Sequence, residues 1–286
     1  MKNNFLIFWI VIAILFIVGA NWIASVYDKK TALLTSDLSE GKTTSAPVIE
    51  DIPIKAKKPG DPPRKKASIY SFLQGPLAWQ KRYEWSGSWG EVLMEEGQYF
   101  GSFGCGLCCI ANIYDTLSPY EASPIDVYWY AKNQTSYAPT EETAAIGWEA
   151  MLAAVKKMGM DAELARKPKD FQSFQKRINK TETAILLIAS QDTDSYWGEI
   201  SGHYVNIWQV KPKGKTVFIA NPGGYTKNRR IIRLKNCYDH LKEISSYQML
   251  LVYSYNNKAD QWRPAKRIKE AWVRPAYCKV KRKPEK

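Results

Sequence analysis

The chain has 286 residues, with 41 Lys or Arg against 28 Asp or Glu, a formal net charge of +13. That length holds one or two domains, and outside residues 5–24 the composition excludes a multi-span membrane protein. Five cysteines are too few for a disulfide scaffold at this length, and their odd number leaves at least one thiol unpaired in an oxidising compartment.

Residues 1–4 read as a short cytoplasmic N-terminus. Residues 5–24 begin with the uncharged run FLIFWIVIAILFIVGA and are long enough for a transmembrane helix. Two readings stand: an uncleaved single-pass anchor, or a signal peptide cut after Ala20 that releases a secreted protein. Both place everything beyond residue 30 outside the cytoplasm. Residues 25–67, rich in Pro, Lys, Ser and Thr, read as a flexible linker. Residues 68–255 carry the pattern of one folded domain. The remaining 256–286 form a basic tail with eleven Lys or Arg against three acids, interleaved with Trp262, Trp272 and Tyr277. Such a tail suits an anionic lipid or cell-wall polymer, or serves as a solvated solubilising segment. Nucleic acid is not an expected partner.

Within the domain, residues 107–116 are small and apolar, with Ile110, Ile113 and Tyr114 spaced to bury a helix face. Ser123-Pro124 opens a second helix, Thr140 to Thr143 leads into a third that runs through Lys157 until Gly159 stops it, and 170–179 form a fourth. Residues 184–189, 204–210, 216–220 and 249–253 read as strands. Helices first and an antiparallel sheet afterwards make an α+β fold.

The chemistry gathers at Gly104-Cys105-Gly106. A cysteine at a helix N-terminus faces unpaired amides and the positive end of the dipole, which favour the thiolate. Cys108 and Cys109 fall three and four residues on, within the helix body, and read as core. A Cys105–Cys108 redox pair competes on spacing, although nothing downstream resembles a thioredoxin layout. Of the two histidines, His203 opens an alternating strand, and Asn221 ends the next one before Pro222-Gly223-Gly224. Cysteine, histidine and asparagine are the parts of a thiol hydrolase: a nucleophile, its general base and a group that orients the base. His240 lies in a surface helical turn. No second ligand pair stands at metal-site spacing, so neither a metal nor a cofactor is expected.

These blocks resemble the C39-like branch of the papain-like cysteine peptidases, bacterial domains that occur as stand-alone secreted or anchored proteins. The resemblance lies in Tyr70, Gln74 and Trp79, then Gly104 to Gly106, then Gly202-His203-Tyr204, then Asn221-Pro222. It implies a papain-like fold, with an N-terminal helical part whose central nucleophile helix packs on an antiparallel sheet. It implies Cys105 as nucleophile, His203 as base, Asn221 as orienter and Gln74 as oxyanion donor, with Gln98 a rival for the last role. The activity implied is a peptidase cutting a peptide or isopeptide bond of a peptide or protein substrate. Two departures stand out: Leu107-Cys108-Cys109 where the family has Pro-Thr-Ser or similar, and Asn221 where it has Asp. An inactive membrane-tethered binding module and a transglutaminase-type or amidase enzyme are the alternatives.

Overall fold

The computed structural model describes residues 69–210, 214–262 and 271–276, all within one unit, Asp51–Lys286. In chain order the elements are α1 (Pro76–Gln80), β1 (Leu93–Glu95), β2 (Gln98–Tyr99), α2 (Phe100–Phe103), α3 (Cys105–Leu117), α4 (Pro124–Gln134), α5 (Trp148–Lys157), β3 (Met158–Ala165), α6 (Phe171–Ile178), β4 (Thr183–Ser190), β5 (Ile200–Gln209), β6 (Thr216–Ala220), β7 (Arg230–Arg233), α7 (Leu234–Asp239) and β8 (Met249–Asp260). The fold is mixed α+β. β1 and β2 pair as a small hairpin, and the other six strands form an antiparallel sheet in the order β3-β8-β4-β5-β6-β7.

β4, TAILLIAS, is apolar on both faces because helices cover the sheet on both sides. On one face Phe174 and Ile178 of α6, with Leu234 and Cys237 of α7, pack on Leu186, Ile188, Val205 and Ile207. Strand alternation turns Tyr204 and Asn206 to the opposite face. There lies α3, all thirteen of whose residues are buried. A helix built from CGLCCIANIYDTL has no polar stripe to offer water, so it sits inside. α4 begins at Ser123-Pro124 as its sequence predicts, with Pro124 in the first turn, and there Ser123 and Asp126 form a reciprocal capping box.

Three stretches depart from the sequence reading. The third helix starts only at Trp148 and not directly after Thr143, because residues 140–147 turn on the Thr140 and Thr143 hydroxyls and Gly147 is extended. Gly159 does not end a helix into a loop. At φ +82° it lets α5 pass directly into β3, and a Cβ there would meet the Asn256 carbonyl at 2.6 Å. The last strand continues past residue 255 to Asp260, whose carboxylate takes the Tyr114 and Tyr255 hydroxyls, each at 2.9 Å. Residues 271–276 return to the body: Trp272 bridges Gly87 and packs against Phe72 and Trp85.

The membrane reading is corrected. Among the described residues no helix is long and apolar enough to cross a membrane. The longest, α3, has thirteen residues, about 20 Å against a hydrocarbon core of about 30 Å. The expectations of a transmembrane segment, a membrane partner and a single-pass location therefore have no spanning helix among the described residues to carry them. Residues 5–24, to which the anchor is assigned, lie outside the described residues, as does the linker up to residue 68.

Candidate functional site

Cys105 is the first residue of α3, with Gly104 as its N-cap. The chain arrives through α2, whose last turn closes with the Gly104 amide on the Phe100 carbonyl at 2.7 Å. The flanking glycines make room for neighbours. A Cβ at Gly104 would fall 2.2 Å from the Phe100 ring, and one at Gly106 would fall 2.6 Å from Ile146 and 3.2 Å from Tyr204. The thiol is buried, 8% exposed, and lies against three backbone amides: Tyr204, Gly106 and its own.

The Tyr204 amide is available for a structural reason. Leu187, its register partner on β4, gives its own amide to Gln248 and its carbonyl to Lys242, so Tyr204 turns its backbone away from β4. The β5–β6 ladder begins only at Asn206↔Ala220. Beyond that point β6 has left the sheet, and α3 brings Cys105 into the gap.

His203 precedes Tyr204 on the same strand. Its Nε2 is 2.8 Å from the Asn221 Oδ1, leaving Nδ1 as the nitrogen open to a thiol. Asn221 is fixed on every side. Its Oδ1 also accepts the Gly223 amide at 2.8 Å, its backbone amide donates to the Asn228 Oδ1 at 2.9 Å, and its side chain shares a hydrogen bond with the Tyr196 hydroxyl. Tyr196 in turn donates to the Lys227 carbonyl. Gly223 does more than form a turn, since a Cβ there would fall 2.8 Å from His203 Nε2. Among the described residues no hydrogen bond joins the Cys105 thiol to His203.

Gln74 is 8% exposed. Its Nε2 donates to the Gly101 carbonyl at 2.9 Å, and its backbone amide to the Pro222 carbonyl at 3.0 Å. It thus links the turn that leads into Cys105 to the turn that follows Asn221. Gln98 points elsewhere: its Nε2 binds the Glu141 carbonyl at 2.6 Å, in the loop before α5. His240 caps α7, with Nδ1 on the Asn236 carbonyl at 2.9 Å, and takes no part. Cys108, Cys109 and Cys237 are fully buried core thiols.

Two sets of buried asparagines weld these segments together. The Asn112 Oδ1 on α3 accepts the Phe72 amide at 2.8 Å, and its Nδ2 donates to the Asn206 Oδ1 on β5 at 3.0 Å. Asn206 returns a bond to the Cys109 carbonyl at 3.3 Å. On the other side, Asn228 Nδ2 reaches the Ser71 carbonyl at 2.7 Å while its Oδ1 holds the Asn221 amide. The next residue, Arg229, adopts φ +56° and reaches the Ile69 carbonyl, a backbone strain of the kind stored beside working sites. Asn228→Ala leaves the Asn221 amide and the Ser71 carbonyl buried without this partner. It is expected to cost about 2 to 4 kcal/mol in urea unfolding and to lower turnover through loss of alignment.

The electrostatics differ from the sequence expectation of a thiolate. Burial pushes the Cys105 thiol above its usual value, and the Tyr204, Gly106 and Cys105 amides offset this only in part. Burial likewise holds His203 below the usual imidazole value, with the Asn221 bond acting in the opposite direction. Burial thus biases both groups toward their neutral forms. Because a base works when unprotonated, the acid limb of kcat/KM is expected below pH 6.5, with the alkaline limb above pH 9. Asn221→Ala removes the contact that raises the His203 pKa. It is expected to move the acid limb lower still and to slow turnover about a hundredfold through lost orientation.

No family model matches the chain, and no curated protein does. Among the described residues no group of three or more His, Cys, Asp or Glu is placed to hold a metal ion.

Proposed function

We propose that this protein is a cysteine hydrolase with a papain-like arrangement, of the C39-like kind, acting on a peptide or isopeptide bond through a thioester at Cys105. The observation that carries the reading is the 2.8 Å bond from His203 Nε2 to Asn221 Oδ1. It leaves Nδ1 free in the residue adjacent to the one whose amide touches the thiol.

In the proposed reaction, His203 Nδ1 takes the thiol proton as Sγ attacks the carbonyl carbon. Because burial favours the neutral thiol and the neutral imidazole, this transfer accompanies attack rather than preceding it. The amide of Cys105, orphaned at the first position of α3, and the Gln74 side chain hold the oxyanion. Gln74 suits the role better than Gln98 because its segment binds both Gly101 and Pro222. The imidazolium then gives its proton to the leaving nitrogen, the C–N bond breaks, and water attacks the thioester to release the acid and restore the thiol.

The second reading is a binding module that keeps the fold without turnover. The raised thiol and the missing Cys105–His203 hydrogen bond favour it. Incubation of the purified protein with a peptide library, read by mass spectrometry alongside an ammonia assay, separates the readings. New peptide termini support the peptidase. Ammonia release or amine incorporation without new termini supports the amidase or transglutaminase type. Neither product supports the binding module.

A further inference from the structure

The His203 side of the site carries a cation with no acidic partner. Lys242 follows Leu241, which bridges Ile188 of β4, and the Lys242 amide donates to the Leu187 carbonyl at 2.9 Å. This pins the backbone beside the sheet. Its side chain then lies across Gly202, the residue before His203: a Cβ at Gly202 would meet Nζ at 3.1 Å and Cδ at 3.6 Å. The glycine is the seat of the lysine stem. The nearest acid in sequence, Glu243, is paired with Lys167 at 2.9 Å. Among the described residues the Lys242 ammonium makes neither an ion pair nor a hydrogen bond. Two residues of extended strand, roughly 7 Å, separate Gly202 from the Tyr204 amide at the thiol, so the ammonium and the sulfur are served by the same end of β5.

We infer that Lys242 binds a carboxylate on the leaving-group side of the substrate, so that the preferred bonds are followed by an acidic residue or by a nearby C-terminal carboxylate. This rests on the hydrolase reading above and deepens it. The leaving nitrogen must face the imidazole that protonates it, so the part of the substrate beyond the broken bond lies on the His203 side. The cation next to His203 along that strand, lying across Gly202, is the Lys242 ammonium. A cation that has no partner of its own is left to meet an anion brought to it.

Two measurements test this on the full-length protein. The first compares Cys105 alkylation by iodoacetate and by iodoacetamide, where the thiolate displaces iodide in both cases and any change in thiol pKa cancels from the ratio. Lys242→Met, which keeps the stem, is expected to lower the iodoacetate-to-iodoacetamide ratio about threefold, and Lys242→Glu to lower it further. An unchanged ratio overturns the inference. The second reads the cleavage profile of a peptide library. Wild type is expected to enrich Asp and Glu just after the cut, and Lys242→Met to lose that enrichment. A wild-type profile without acidic enrichment also overturns it. If no peptide is cut at all, the peptidase reading fails, and the alkylation ratio still decides the role of Lys242.

Discussion

Cys105→Ala is expected to abolish turnover, and His203→Ala to lower kcat/KM on the order of 10,000-fold or more, with little change in the unfolding midpoint. The asymmetry between the three clustered cysteines is what makes this informative. Cys105 lies at the end of α3, in the gap where β6 leaves the sheet. Cys108 and Cys109 are fully enclosed one turn further in, and burial holds their thiols well above the usual value. Cys108→Ala and Cys109→Ala should therefore leave turnover largely intact and cost about 1 to 2 kcal/mol of stability each through small cavities. Steady-state kinetics and urea unfolding on the four variants check both halves. Equal losses of activity at Cys105 and Cys108 would point instead to a redox pair.

The second large effect is expected at Gln74. Removing one oxyanion donor lowers kcat by about 100- to 1,000-fold with KM nearly unchanged, because the interaction strengthens only as charge develops on the oxygen. Gln74→Ala should show that pattern. Gln74→Glu should be no better, since it replaces the donor with an anion facing the developing charge. Gln98→Ala, which breaks only the bond to Glu141, should change kcat less than threefold. Reversal of the two outcomes would move the oxyanion role to Gln98.

The order of elements was legible because local rules agree with the final packing. The Ser123–Asp126 capping box, the apolar run of β4 and the alternation of β5 each have a single consistent local reading. β3 was missed because MGMDAELA follows α5 without a break, and only the positive φ of Gly159 turns helix into strand. β7, Arg230–Arg233, was missed because a short edge strand with two arginines looks like a loop. The end of β8 lay hidden in a basic segment whose buried anchor, Asp260, depends on tyrosines far off in sequence.

At the site, Cys105, His203 and Asn221 were readable as residue types at element ends. What binds them together was not. Asn112 and Asn206 carried a usable signal, each being a lone amide in an otherwise apolar stretch, which a buried helix or strand tolerates only when the amide is satisfied. Asn228 and Tyr196 carried none, since both lie in polar loops and act through partners that the fold alone brings near. The expectation of a thiolate at Cys105 meets an opposing effect in burial. A helix N-terminus lowers a thiol pKa, but the burial of Cys105 acts more strongly in the other direction.

The most direct test of the central claim, a Cys105 nucleophile worked by His203, is intact-mass measurement of the protein treated with one equivalent of an epoxide or vinyl-sulfone peptide probe at pH 7. The account predicts a single adduct mapped to Cys105, with a rate that falls at least about a hundredfold in His203→Ala. An adduct on another cysteine, or an equal rate without the imidazole, would contradict it.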